Sequence, residues 1–596
     1  MQGTGFMDTW ELDSLLKGSG ELTELIAQTK VGIAECLERV EALDFSNAQD
    51  NEEPIATILR DIGCIQNALS QASSFITCLL AEKKGVSLQG TISSVKADYS
   101  SLVKKLQQQL SEMDPEIWYF LLETKSLKEY RFILNEWRTN ADASLSNEEE
   151  ALISDLMVDG YHAWNDLYRS ILNNLRVNVE MNGSEKAFSV GQTVNLRSHS
   201  DPVIRKNAFI ALENLWTSQK ETMARILNHI TGFRLQVDQK RGASSSLEQP
   251  LKDNRMSEKT LQAMWRVVSR HKPAFVDYLD HKAQLAGNNQ MPSYDFWAPF
   301  AEKDISIDYR RGAEFILQQF QKFGPELADF TRTAFENGWV EAADRPEKSA
   351  NAFCAGFPLS DESRVFLTFD GSMTTVLTLA HELGHAFHNH ALKEVAPLNR
   401  RYSMSTAETA STFAEMIVLD AAIEQTEDPD EKLMLLDEKI KRSVMNFMNL
   451  HSRFLFEERL YETRKKGMVS ADRLNEMMEN AFTEAYAGSM SHVPVHSWIS
   501  TPHFYITSSP FYNFPYTFGY LFAVSIYAKA KEQGKDFEEN YLALLRDTGN
   551  MTVEDLAMKH LGEDITQESF WEKGMALCLK DTEEFIQLSS MSLVGQ

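Results

Sequence analysis

The residues best suited to chemistry in this chain are His381, Glu382 and His385, in the run His-Glu-Leu-Gly-His. On a helix, positions four apart lie one turn apart on the same face, so the two imidazoles can share one zinc ion. Glu382 is then placed to act as general base on an attacking water. A carboxylate set between two imidazoles inside a protein is expensive to keep without a metal or another partner. One zinc ion is therefore the expected cofactor, and the donor types also suit cobalt or manganese.

Catalytic zinc keeps three protein ligands and one open position, so a further donor is required. The extended pattern that places Gly at the third and His at the sixth position after the second histidine is excluded, because this chain has His388 and Ala391 there. Glu394 follows too closely on the same helix to turn back onto its own metal. Glu408 and Glu415 lie in the Ala-rich helical stretch Thr406–Asp420 and, seven apart, share a face. Glu408 is the expected third ligand. Glu415 is then an acceptor for the outer nitrogen of a ligand imidazole. His388, one turn beyond His385, reads as a hydrogen-bonded scaffold histidine and His390 as a solvated one.

His-Glu-Leu-Gly-His-Ala-Phe-His (381–388), followed by Glu-Thr-Ala-Ser-Thr-Phe-Ala-Glu (408–415), resembles the oligoendopeptidase F branch of the thimet oligopeptidase family of zinc metallopeptidases. The resemblance runs from about residue 115 to the C-terminus. It implies a mostly α protein with two helical lobes around a deep substrate channel and a small β-sheet next to the zinc helix. It also implies a zinc endopeptidase that hydrolyses internal bonds of short peptides. The segment Pro502–Tyr520, dense in His and Tyr and broken by prolines and Gly519, resembles the family's segment near the zinc. By that match His503 and Tyr512 or Tyr516 contact substrate or oxyanion, with Tyr520 a further candidate. His492 and His496, just upstream, carry no motif that favours a role. A zinc exopeptidase, cutting from either terminus, is the alternative, and a non-catalytic peptide-binding helical protein a more remote one.

These residues need elements to hold them. From Thr374 to Leu392 the apolar positions recur with helical spacing and wrap much of the helix, after a turn at Asp370-Gly371 and an N-cap at Ser372. Ala352–Pro358 and Ser363–Asp370 read as a β-hairpin leading into that helix, the one clear β signal. An edge strand there would suit pairing with a substrate backbone. Upstream, three apolar stripes (Leu22 to Val40, Ile55 to Leu69, Ile92 to Met113) predict a helical bundle over 1–115, with the polar run Ser46–Pro54 between the first two. Residues 116–199 are expected to extend the N-terminal lobe, and 200–596 to form the catalytic domain. Ser146-Asn-Glu-Glu149 is a capping box, Ser200-Asp201-Pro202 a helix start, and Arg241–Arg255 an expected surface loop.

Composition limits the partners. The net charge of −27 argues against nucleic acid or an anionic membrane, and no run of 18 apolar residues offers a span. Met1–Glu11 lacks the features of a secretion signal. Five cysteines without paired spacing (Cys36, Cys64, Cys78, Cys354, Cys578) read as reduced thiols, so a cytoplasmic location is expected. Cys354 reads as a small buried hydrophobe, not a nucleophile. The sequence leaves monomer against homo-oligomer open.

Overall fold

The computed structural model describes residues 5–43, 48–84, 88–142, 145–300, 306–345, 348 and 351–594. Helix accounts for 72% of it and strand for 5%, so functional side chains must come chiefly from helices and their caps. The chain divides into two compact units, the first formed by residues 1–144, 305–421 and 529–563, the second by 145–304, 422–528 and 564–596.

In the first unit, helices Ser19–Glu41, Ala48–Ala81 and Gln89–Ser111 pack against one another along the expected apolar stripes. Leu22, Ile26, Ile58, Leu59, Ile62, Leu102 and Leu106 are buried in one core. That core also contains Ala355, Phe357 and Phe366 of the hairpin, so the bundle braces the sheet behind the HELGH helix. The run expected to separate the first two helices is different. Residues 46–47 lie outside the described residues, and 48–54 already belong to the second helix, with Pro54 inside it. Glu52 and Glu53 lie near the positive end of that helix, where acidic residues are favourable.

The hairpin forms as expected: Phe353–Phe357 pairs antiparallel with Glu362–Phe366, in register from Phe353↔Phe366 to Phe357↔Glu362. Val340–Glu341 adds a parallel strand on the other side of Glu362–Phe366, leaving Phe353–Phe357 as an edge strand of the three. The helix Met373–Ala391 follows. Ser372 Oγ caps it by accepting the Thr375 N–H at 3.2 Å, and Asp370 Oδ1 accepts the Ser372 N–H at 2.8 Å. Gly371 turns the chain with φ +86°, where an added Cβ would also crowd the Ile307 carbonyl oxygen at 3.1 Å.

The second unit is built on long helices, among them Pro202–Lys240, Glu258–Leu285, Pro429–Val444 and Leu450–Arg464. Asp201 caps the first, with Pro202 at its first turn, and the Ser146/Glu149 capping box is present. Two features depart from expectation. Arg176–Met181 and Ser184–Ser189 form a second hairpin, whose turn residues Asn182 and Gly183 both have positive φ. Asn-Gly is the strongest short hairpin signal, but the second strand is polar and exposed and carries no alternation. Within the expected loop 241–255, Glu248–Asp253 is a short helix that buries Pro250 and Leu251. Those two apolar residues supply the anchor that a solvated loop lacks.

Candidate metal centre

The first unit brings three predicted ligands together. Nε2 of His381 lies 3.3 Å, and Nε2 of His385 3.4 Å, from Oε2 of Glu408. All three donor atoms fall within 4.8 Å of one another. Four ligands about 2.0–2.1 Å from a central zinc ion define a tetrahedron with edges of about 3.3–3.4 Å. The two distances to Glu408 therefore match a tetrahedral site, and two imidazoles with one carboxylate are donors that zinc takes.

Glu408 does not sit mid-helix as its Ala-rich surroundings suggest. A short turn, Met404–Ala407, ends at Glu408 (φ −92°, ψ 5°), and the helix Thr409–Gln425 starts after it. Ser411 Oγ donates to Glu408 Oε2 at 2.8 Å, which fixes the carboxylate's rotamer. Burial works to raise the Glu408 carboxyl, but the bonds from His381 and His385 outweigh it and hold the group far below the usual carboxylate range. On the same face, Oε2 of Glu415 lies 3.2 Å from His381 Nδ1. A carboxylate there can accept the Nδ1 proton, the arrangement that leaves Nε2 as the ligand atom when a metal is bound.

Gly384, inside the His-Glu-Leu-Gly-His run, permits this arrangement. A Cβ at that position would lie 2.5 Å from the Ala410 carbonyl oxygen, so the two ligand-bearing segments touch backbone to backbone. An isolated glycine in a strongly helical pattern was the available signal.

Glu382 is 7% exposed, and burial pushes its carboxyl upward against the pull of the two histidines. His388 is buried, stacked on Tyr402 and hydrogen-bonded through Nε2 to Thr548 Oγ1 at 2.9 Å. Burial lowers its pKa to about 3, so it is a neutral scaffold residue. His390 is not solvated: it is half-buried, bonded to Glu326 at 3.2 Å and packed against Phe330, because the helix end turns it toward Phe330 and Phe387. Cys354 receives the Asn389 amide at 3.8 Å, and burial raises its thiol well above the ordinary range, so nothing activates a thiolate. A cavity of about 790 Å³ lies by the edge strand, lined by Gln66, Ser73, Gly356, Asn389, Arg400 and Tyr402.

His503, Tyr512 and Tyr516 belong to the second unit, where they form a cluster of their own. The His503 ring centroid is 4.9 Å from that of Tyr512 and 6.0 Å from that of Tyr516. His503 Nδ1 is 2.7 Å from Asn513 Oδ1. With that oxygen assigned as acceptor, Nδ1 carries the proton, and burial, which lowers the ring's pKa, keeps Nε2 free as an acceptor. The Tyr520 hydroxyl is paired with Ser443 Oγ at 2.9 Å. His496 is held by Glu213 at 2.8 Å, and His492 is in contact with Tyr294. Arg453, whose guanidinium comes within 3.5 Å of His503 and Asn513, and Asn513 itself went unnoticed in the sequence. Neither belongs to a recognisable motif.

The profile of peptidase family M3 matches residues 195–577, and that of the oligopeptidase F N-terminal region matches residues 109–176. The chain belongs to peptidase family M3. Among its M3 relatives, oligopeptidase PepF of Bacillus subtilis is 23% identical over 471 residues, covering 77% of this chain and 68% of that protein. An oligoendopeptidase F homolog of Lactococcus lactis is 22% identical over 558 residues, 90% of each. A crystal structure from Chlamydophila abortus superposes with a TM-score of 0.82 at 18% identity, covering 98% of both chains. The oligoendopeptidase-F structure from Enterococcus faecium gives 0.70 at 19% identity, covering 96% of this chain and all of that one. Membership in M3 makes this chain a peptidase that acts on peptides; the family is generally metal-dependent, and the His-His-Glu cluster could hold a metal ion. Among the described residues no helix is long and apolar enough to cross a membrane.

Proposed function

We propose that this M3 peptidase is a zinc-dependent oligoendopeptidase that hydrolyses internal bonds of short peptides. The observation that carries the reading is the pair of tetrahedral-edge distances from Glu408 to His381 and His385. A zinc ion held there would acidify an attacking water and polarise the scissile carbonyl. Glu382 takes the proton from the water during attack and delivers it to the leaving amine. Its burial supports this role, since desolvation raises the carboxyl above its ordinary range and makes it a stronger proton acceptor. Glu415 keeps His381 in the ligating tautomer.

The helper roles rest on the resemblance of the 502–520 segment together with the cluster's geometry. A neutral His503 with Nδ1 held by Asn513 presents Nε2 to accept a substrate N–H. Tyr512 or Tyr516 is then the donor to the oxyanion, a role a phenol fills without a change of charge. The edge strand Phe353–Phe357, beside its cavity, takes the peptide backbone by strand addition, which grips any sequence. Five free cysteines among the described residues accord with the reducing cytoplasm that the reading places it in.

The deciding experiment is mass spectrometry of short peptides blocked at both ends, incubated with the enzyme as prepared, after chelation, and after zinc is restored. Internal cuts that disappear on chelation and return with zinc are expected. Cleavage of unblocked peptides alone, from one terminus, would replace this reading with an exopeptidase. Glu382→Gln should bind zinc at the same stoichiometry and lose about 10²–10⁴-fold in kcat. Normal turnover by that variant would remove Glu382 from the mechanism.

A further inference from the structure

The 790 Å³ cavity beside the edge strand lies wholly within the first unit. Three parts of that unit line it. Ser73 and Lys96 come from the second and third helices of the bundle, and Gly356 and Phe357 from the edge strand itself. Ala386 and Lys393 come from the HELGH helix and the turn that follows it. Ala386 is four residues on from Glu382, so the two share a helix face about 6 Å apart along the axis. An extended peptide spans that distance in about two residues. A peptide paired with Gly356 and Phe357 therefore enters the cavity about two to four residues from a bond cut beside Glu382.

The charge of the cavity is opposite to that of the chain. Lys96, Lys393, Arg400 and Arg401 line it against Asp361 and Glu362, although the whole chain carries a net charge of −27. Glu362 is already paired with Arg364 Nη1 at 2.7 Å, which leaves Asp361 as the counter-charge. Arg400 is half-buried and held in place. Its Nε donates to the Val395 carbonyl and its Nη2 to the Lys393 carbonyl, each at 2.7 Å. Those two bonds fix the plane of the guanidinium while neutralising none of its charge, since both acceptors are uncharged. Among the described residues, neither Lys96 nor Lys393 forms a side-chain hydrogen bond or an ion pair. Glu394, next to Lys393, does not line the cavity.

We infer that this cavity is a specificity subsite for an acidic side chain, Asp or Glu, of a peptide held on the edge strand. The fixed Arg400 guanidinium gives the carboxylate a directed partner, and the flexible Lys96 and Lys393 supply positive charge from two sides. A recess focuses such charge more than an open surface does. The inference rests on the endopeptidase reading with strand pairing, and it adds the side chain that the enzyme favours. Residues 66–100, which form the bundle's share of the lining, precede both stretches matched by the family profiles. The preference is therefore a property of this chain's own N-terminal bundle joined to the common peptidase core.

The test uses quenched fluorescent peptides blocked at both ends and otherwise neutral, with one Glu, or Gln in its place, moved a position at a time. In the wild type kcat/KM for the Glu peptide should exceed that for the Gln peptide by about tenfold, mainly through KM. The gain should occur on one side of the cut only, about two to four residues away, and shrink at high salt. In Lys96→Glu/Lys393→Glu the ratio should fall to one or below, and a Lys peptide should become the better substrate. Both lysines are exposed, so the double variant should fold. Equal use of Glu and Gln at every position by the wild type, or an unchanged ratio in the double variant, would overturn the subsite. Should the wild type cleave none of the peptides, it is the peptidase reading that fails. Fluorescence anisotropy of labelled Glu and Gln peptides then decides the subsite alone: Glu-selective binding lost in the double variant supports it, and equal binding refutes it.

Discussion

A Cβ on Gly384 would sit 2.5 Å from the carbonyl oxygen of Ala410 and 2.6 Å from the Cα of Ser411. Gly384 separates Glu382 from His385, and Ala410 and Ser411 follow Glu408 closely, so this contact sets the spacing between the two halves of the metal site. Both obstacles are backbone atoms, which cannot turn aside as a side chain would. Gly384→Ala must therefore push the ligand-bearing segments apart, at an overpacking cost of about 1–3 kcal/mol or more. The expected outcome is a lower Tm and a zinc affinity at least tenfold weaker by chelator competition. A variant with wild-type zinc affinity would show that the contact relaxes without moving Glu408.

Glu415 acts on the metal through His381, with 3.2 Å between its Oε2 and the ring's Nδ1. Partners of this kind usually contribute 10- to 100-fold in metal affinity. Glu415→Ala should show a loss in that range, and Glu415→Gln a smaller one, since an amide oxygen still accepts the Nδ1 proton. Zinc titration against a competing chelator measures both. Equal affinities in all three proteins would reduce Glu415 to a packing residue.

How far the sequence already disclosed this site follows from the range of its contacts. His381, Glu382 and His385 are legible because helix geometry alone brings positions four apart together. Glu408 and Glu415 were reached by their seven-residue spacing, although the helix breaks at Glu408, a local distortion that an Ala-rich run conceals. The bundle stripes were legible for the same periodic reason. Contacts between distant segments were not. Thr548 on His388 and the backbone approach of Gly384 to Ala410 depend on tertiary packing. The Asn182-Gly183 hairpin was open to reading from its turn, but its exposed polar strand hid it. Arg453 was invisible because its approaches to His503 and Asn513 join residues 50 and 60 positions apart.

Glu457 gives a pH prediction. It is 4% exposed, and burial raises its carboxyl to about 7 against the opposing influence of the Phe511 N–H, Arg234 and the Asn513 amide. A carboxyl whose folded pKa lies above its unfolded value binds its proton more tightly in the native state. Its contribution is complete below about pH 4.5 and is lost as pH rises through about 7. The size is on the order of 3 kcal/mol, from the rise from 4.5 to about 7 at about 1.36 kcal/mol per pH unit. Glu457→Gln keeps an acceptor for the Phe511 N–H and cannot ionise. Its Tm should gain on the wild type between pH 5 and 8, with the difference widening as pH rises. A constant difference across that range would mean that Glu457 is not protonated in the folded protein.

Tyr512 and Tyr516 can be separated by removing one oxygen at a time. Both rings pack around His503, 5.5 Å from each other between centroids, so a phenylalanine at either position preserves the packing. A hydroxyl that donates to the oxyanion acts only as charge develops in the transition state, so its removal lowers kcat and leaves KM nearly unchanged. The expected loss at that tyrosine is about 10²–10³-fold. A hydroxyl that holds the substrate in its ground state raises KM instead. Tyr520→Phe is the reference, because its hydroxyl is committed to Ser443 and its loss should appear in Tm more than in kcat. If both Tyr512→Phe and Tyr516→Phe kept kcat within about threefold, oxyanion stabilisation would have to come from elsewhere.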